Sequence, residues 1–354
     1  MGSTPSVGTI LKAFPSSPKF SRREKLVAAG QTAGIRQLEG TGTHSAIETV
    51  GAGCFTVRVR VLIIGCGYVG LPLGLELLRQ GHTVFGVRRS AEGAAALARE
   101  GIQPLTADIT RREDLERLGT GWNWIVNTTS SSKGGAAEYQ QVYFEGTRNI
   151  LAWLAASPPK KYVYTGSSSV YGQTDGSHVK ESSLAEPGTD TGRILAATEK
   201  LLLDAARDQK FPAVLLRVAG IYGPGRGHLF LQYLKNEAQI AGKGERYLNM
   251  IHRDDVVASI ITALKSGRAG EIYNIVDDEP VPQIHFFRWL SETLGKNMPP
   301  FVPESAVPRG KRGITHKRIL NRKMKMELGC CLRYPTFRQG YTAEIQRLQD
   351  AGML

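Results

Sequence analysis

Three glycines set the first chemical constraint in this chain. They belong to Gly65-Cys66-Gly67-Tyr68-Val69-Gly70, a G-x-G-x-x-G run that follows an apolar, β-branched stretch and opens a segment of helical spacing. Gly65 permits the tight turn, Gly67 lets the backbone approach a pyrophosphate, and Gly70 lets the helix lie close to the strand. Tyr68 and Val69 stand at the helix entrance, where free N–H groups face bound phosphates. The chemistry is the holding of a dinucleotide. About twenty residues further on, where an acidic side chain would take a ribose 2′-hydroxyl, stand Arg88, Arg89 and Ser90. Two guanidiniums and a hydroxyl suit a 2′-phosphate, so the expected cofactor is NADP, with NAD the alternative. Asp108 can accept a hydrogen bond from an adenine amino group or cap the helix that follows it. Thr128 and Thr129 stand at a polar strand end beside the expected ribose. Ser167, Ser168 and Ser169 add a run of hydroxyls at the end of a later strand.

The elements that must position these groups follow from periodicity. Val59, Val61, Ile63 and Ile64 form the first strand, Leu73, Leu77 and Leu78 mark a helix, and Thr83–Val87 is the second strand. Strands at 102–105, 124–127, 162–165 and 213–218 alternate with helices at 91–100, 111–118, 136–156 and 191–209. That alternation predicts an α/β fold with a doubly wound parallel sheet (Rossmann) and a smaller C-terminal α/β substrate lobe. Ligands lie at the carboxyl ends of such strands, where every polar cluster named above falls. The lobe is expected to contain helices at 228–241, 254–265 and 282–294 and a strand at 271–275. The chain divides into an extension at 1–57, a dinucleotide-binding core at 58–220 and the lobe at 221–354, interleaved with the core.

Composition bounds the partners. The 354 residues carry a formal net charge of +13. Residues 1–57 hold six Lys/Arg against three Glu, and residues 309–340 hold ten against one, so two segments account for nearly all of the excess. The first is rich in Ser and Thr, has no acidic residue before Glu24 and lacks hydrophobic periodicity. It fits an organelle transit peptide, chloroplast ahead of mitochondrion; an untargeted tail in a cytoplasmic protein is the bland alternative. The second suits an anionic substrate or partner, or a solvated face. No apolar run approaches the ~20 residues of a membrane span. The four cysteines form no C-x-x-C and have no histidine cluster beside them, so neither a metal site nor a disulfide framework is indicated.

The stretches Gly166–Gly172, Leu216–Gly225 (L-R-V-A-G-I-Y-G-P-G), Ile251–Val257 and Tyr273–Pro280, with Gly146-Thr147-Arg148-Asn149, carry a more specific signal. From about Val59 to Tyr341 the chain resembles the extended short-chain dehydrogenase/reductases, which include the NAD-dependent epimerases and dehydratases of sugar nucleotides. The ending, Asn321–Gly329 and Leu332–Thr336, is similar to an atypical extended subgroup with bacterial and plant members described as epimerase-like. The resemblance implies a small-molecule substrate, anionic or nucleotide-linked, and a homodimer built on two long helices. It also implies a Tyr-x-x-x-Lys pair helped by Ser and Asn. Here only the Ser position, Ser167, is kept. The Tyr position falls on Thr191, the Lys position on Leu195 and the Asn position on Tyr143. A threonine hydroxyl cannot replace a phenol as acid. Tyr143 is therefore the leading candidate proton donor, with Tyr171 and His178 behind it. Substrate contacts are expected from Ser168, Tyr222, Arg193, Arg226 and His252, with Arg253 beside the last. Two function classes result: an NADP-dependent oxidoreductase or epimerase-like enzyme with a substituted acid/base, and a non-catalytic nucleotide-binding scaffold or sensor. The second keeps RNA as a candidate partner, because chloroplast stem-loop RNA-binding proteins belong to the same superfamily and Tyr334 and Phe337 sit in the basic segment.

Overall fold

Val61, Leu62, Ile63 and Ile64 are buried completely, as a strand covered on both faces requires. They form β1 (Arg60–Ile64), an inner strand of a seven-stranded parallel sheet. The others are β2 (Thr83–Arg88), β3 (Gln103–Thr106), β4 (Trp124–Asn127), β5 (Lys161–Ser167), β6 (Ala213–Val218) and β7 (Ile272–Ile275), in the order β7-β6-β5-β4-β1-β2-β3. Every pairing in this sheet is parallel. The order reverses between β1 and β4, which opens a crevice above their carboxyl ends. The computed structural model describes residues 58–131, 134–306 and 315–354. The extension at 1–57 lies outside the described residues, as does the stretch 309–314 of the basic segment.

Apolar side chains pack on both faces of the sheet. One face carries α1 (Gly70–Arg79) through Leu73 and Leu77, with Val256 and Ile260 of the helix Arg253–Ser266. The other carries Leu115, Ile150 and Trp153, with Leu202 of the long helix α2 (Asp190–Gln209). A third cluster, around Phe230, Phe286, Phe287, Phe337 and Tyr341, is the core of the lobe. Core and lobe form one compact unit, because β7 returns to the sheet edge beside β6 after the first part of the lobe.

Several expected elements change on folding. The helix expected at 136–156 is α-helical at Ala136–Tyr139, π-helical at Gln140–Glu145 and α-helical again at Gly146–Leu154. A widened turn of this kind re-aims the side chains it carries, and Tyr143 lies within it. The helix expected at 228–241 stops at Leu234. Asn236 adopts a left-handed φ of 60° there, a conformation asparagine tolerates. Ile240–Ala241 then pairs as a strand with Phe301–Val302. Two helices escaped the periodicity reading: Arg322–Leu328 and α3 (Phe337–Asp350). The second opens with a capping box, Thr336 and Gln339, a signal visible in T-x-x-Q. Lastly, His178–Val179 pairs in parallel with Arg318–Ile319, which brings the end of the basic segment against the loop after β5.

Candidate functional site

The crevice at the sheet reversal is a cavity of about 570 Å³. The glycine loop forms its floor. Gly65 has φ +81°, and a Cβ there would lie 2.7 Å from the backbone of Thr129. Only glycine fits this turn without strain. A Cβ at Gly70 would meet Ile63, the Gly65 carbonyl and the Thr128 hydroxyl at 3.0–3.1 Å. Thr128 Oγ1 donates to the Gly65 carbonyl at 3.0 Å, and Thr129 Oγ1 donates to Asn127 Oδ1 at 2.7 Å. These two threonines brace the loop as well as lining the cavity. The Arg88 guanidinium crosses the loop and donates to the Cys66 carbonyl at 3.1 Å. Arg89 and Ser90 line the same wall, and Ser90 also caps the next helix by accepting from the Gly93 N–H. Burial pushes the Cys66 thiol up to about 12, so this cysteine is an inert filler.

Asp108 lines the cavity, but its capping role differs from the expected one. Its Oδ1 accepts from the backbone N–H and hydroxyl of Thr110, and the N-cap of the short helix Arg112–Glu116 is Arg111. A side chain that turns back two residues makes an Asx turn, and the helix begins one turn later. Tyr68 lies between two cations: Arg226 is 4.1 Å and Arg253 5.4 Å from its ring centre. Its buried hydroxyl has no hydrogen-bond partner among the described residues, and burial lifts its pKa to about 12. Val69 completes this side, and Arg226 closes it.

Ser167, Tyr143 and Leu195 meet in this cavity. Ser167 Oγ accepts from the N–H and hydroxyl of Ser169, at 3.2 and 3.0 Å, which leaves its own proton to donate. Tyr143 Oη accepts from the Ser131 N–H at 3.2 Å, and its ring packs on Tyr139. Thr191 is buried at the start of α2, 3.3 Å from the hydroxyl of the capping residue Thr189.

A second cavity, of about 410 Å³, shares Ser167 and Ile221 with the first. Ser168 and Tyr222 line it. Tyr222 is stacked on Tyr341, with ring centres 4.3 Å apart. Two cations that sequence reasoning missed also line it: Arg246 and Lys317. Lys317 is 3% exposed, and its ammonium donates to the Tyr171 carbonyl at 2.7 Å. Burial lowers its pKa from 10.5 to about 8. The available signal was its place at the edge of the basic segment, though nothing in that segment singled it out.

Four candidates fall elsewhere. Arg193 is exposed and paired with Asp190 at 2.6 Å, because both sit on the solvent side of the first turn of α2, opposite the buried Thr191 and Gly192. His252 is buried, caps its helix by accepting from the Asp254 N–H at 3.2 Å, and packs on Tyr334. Tyr171 is a core residue whose hydroxyl donates to Asn274 Oδ1 at 2.8 Å beneath the Arg217 guanidinium. His178 is exposed on its short strand. The basic segment is partly neutralised, since Lys323 pairs with Glu271, Lys325 with Asp278 and Arg338 with Glu279. Among the described residues no cluster of metal-ligating side chains occurs, and no helix is long and apolar enough to cross a membrane.

The family model for the NAD-dependent epimerase/dehydratase family matches residues 61–276. This chain belongs to that family. Its relatives include Protein YeeZ of Escherichia coli K12, 28% identical over 286 residues and covering 78% of this chain and 96% of that one. The dTDP-6-deoxy-L-talose 4-dehydrogenase (NAD(P)(+)) of Kitasatospora kifunensis is 26% identical over 72% of this chain and 85% of its own length. The dTDP-glucose 4,6-dehydratase DesIV of Streptomyces venezuelae, solved with NAD and TYD bound, shares the fold with a TM-score of 0.71 at 20% identity, over 82% of this chain and 97% of that one. The family's dinucleotide fits the residues present: the glycine cradle admits no Cβ at Gly65, and Tyr68 keeps an unpartnered hydroxyl at its wall.

Proposed function

We infer that this chain is an NADP(H)-dependent oxidoreductase or epimerase-like enzyme that works on a small molecule without the family's Tyr–Lys pair. The observation that carries this reading is Ser167, which lines both cavities and so stands where a substrate in the second would meet a cofactor in the first. The dinucleotide supplies hydride transfer when bound. Arg88, Arg89 and Ser90 hold its 2′-phosphate, Asp108 its adenine, and the glycine loop its pyrophosphate. Ser167 donates a hydrogen bond to the substrate oxygen. Tyr143, in its π-helical turn, is a phenol lining the same cavity and supplies the proton. Residues 1–57 direct the protein to the chloroplast.

The test begins with cofactor titration. NADPH should quench intrinsic fluorescence and raise the melting temperature, and should bind at least tenfold more tightly than NADH. Hydride exchange between NADPH and a panel of carbonyl compounds should then fall roughly 10–100-fold in Ser167→Ala, the range for loss of one positioned donor. Tighter binding of NADH would overturn the cofactor assignment. One observation favours the second reading, a non-catalytic sensor: Leu195 lines the cavity at the position of the family's lysine. NADPH binding without exchange on any carbonyl would select it, and RNA binding that falls steeply with salt would extend it.

A further inference from the structure

Among the described residues no acidic side chain lines the second cavity, yet two cations do, the buried Lys317 and the half-buried Arg246. Lys317 immediately precedes the strand Arg318–Ile319, and three contacts fix its backbone. Asn249 Nδ2 donates to the Lys317 carbonyl at 2.9 Å, Asn249 Oδ1 accepts from the Ile319 N–H at 2.8 Å, and the Arg318 N–H donates to the Ser177 carbonyl at 2.8 Å. The ammonium has three donors. One reaches the Tyr171 carbonyl; no acceptor among the described residues takes the other two, and no carboxylate pairs with it. Arg246, half-buried, makes no side-chain hydrogen bond or ion pair with any described residue. An isolated buried ammonium is costly unless something compensates it. The cavity wall beside it is the 3-10 turn Ser168–Val170, which begins at Ser167.

We propose that Lys317, with Arg246, seats an anionic group of the substrate. The substrate is then a carboxylate or phosphate ester whose carbonyl or carbinol carbon reaches Ser167 while its charged end stays in the second cavity. This rests on the reading above that the first cavity holds the dinucleotide. The oxyanion takes the two spare N–H donors of Lys317 and the fork of Arg246. No residue of the expected set performs this role: Arg193 and His252 do not reach the cavity. The depressed pKa of Lys317 adds a consequence. An anion favours the charged ammonium, so binding weakens as pH rises past about 8. The titratable groups around this lysine are Arg246, His228 and Tyr247, which line the same cavity, its chain neighbours His316 and Arg318, which flank the Tyr247 ring, and Arg217, which lies over the Tyr171 ring; the Glu304 carboxylate acts on Arg246. None is a carboxylate in contact with the ammonium.

The probes are inorganic phosphate and malonate, titrated calorimetrically into the full chain with and without NADPH; which of them binds distinguishes a phosphate ester from a carboxylate. The expected result is binding of at least one, weakened tenfold or more in Lys317→Met and in Arg246→Met but within about threefold of wild type in Lys317→Arg. Affinity of the wild type should drop between pH 7 and pH 10, while Lys317→Arg should stay flat. NADPH binding, measured in parallel, should be unchanged in all three variants. If neither anion binds, or if Lys317→Met binds as the wild type does, the assignment is wrong even where NADPH binding persists. Loss of NADPH binding in the wild type would instead overturn the reading of the first cavity.

Discussion

The two cavities meet at Ser167 and Ile221 but are built by opposite means. The first draws its floor from one continuous stretch, β1 to β2, and its shape from backbone: a glycine turn, a helix start and two threonines that brace them. The second is assembled from side chains on segments far apart in the chain, near residues 168, 222, 246, 317 and 341. A site made of backbone tolerates few substitutions and serves one ligand shape. A site made of side chains on a lobe can change its ligand while the fold stays put. On the function proposed above, the constant part of the chemistry would belong to the first cavity and the choice of substrate to the second.

Substitutions that strike one cavity and spare the other sharpen this contrast. The largest effect is expected beneath the second. Arg217 donates through Nε and Nη2 to Glu199 Oε2, at 3.0 and 2.8 Å, and lies over the ring of Tyr171, whose carbonyl holds Lys317. Both partners of this pair are buried, and burial lifts the Glu199 carboxyl while Arg217 pulls it back. Arg217→Leu strands that carboxylate and should cost about 3–5 kcal/mol in a urea melt. A loss under 1 kcal/mol would show that the fold around Tyr171 does not depend on the pair. Gly65→Ala adds a Cβ where φ and space both forbid it. It should weaken NADPH binding on the order of 100-fold, about 2.7 kcal/mol, while phosphate or malonate binding stays within threefold; an equal loss of both would break the contrast.

Lys317→Met tests the second cavity through stability. The folded-state pKa of about 8 lies below the ordinary 10.5. Between those values the unfolded chain holds more protons than the folded one, so wild-type stability rises with pH across that window. The variant has no buried charge to relieve. It should be more stable than wild type at pH 7 by about 1–2 kcal/mol, after loss of the bond to Tyr171, and the advantage should vanish by roughly pH 10. A variant less stable at every pH would mean that the ammonium is well compensated. The smallest effect belongs to Arg88→Ala and Arg89→Ala, each expected to reduce the preference for NADPH over NADH by roughly tenfold with little change in NADH binding. Parallel loss of both nucleotides would reassign these arginines to the loop itself, which the bond from Arg88 to the Cys66 carbonyl already braces.

The same contrast governs what could be read from the residues alone. The sheet and the glycine cradle were legible because strand and helix periods are local and because the turn at Gly65 admits one residue type. Strands at 124–127 and 213–218 occur with the expected bounds. Ser167, Tyr143 and Leu195, far apart in the chain, line one cavity. Local rules fail where tertiary contacts decide. Helical periodicity at 136–156 does not reveal the π-helical turn that tilts Tyr143, and apolar spacing past Leu234 does not anticipate the left-handed Asn236. His252 looked like a ligand group because its neighbours are charged, yet its Nδ1 caps a helix and its ring packs on Tyr334, outside both cavities. Lys317 was hidden among ten basic residues. Only the pairing of Arg318–Ile319 with His178–Val179, well over a hundred residues away, carries it under the serine turn.

The return of β7 to the sheet edge has a consequence for synthesis. Strands β1 to β6 leave the ribosome before the lobe exists, so a nascent chain can form the glycine cradle while the second cavity is still unmade. The edge of β6 then stays unpaired until residue 275 has emerged, and an open parallel edge is a surface on which nascent chains stick to one another. Chaperone dependence should therefore peak as the lobe is being translated and end when Ile272–Ile275 docks.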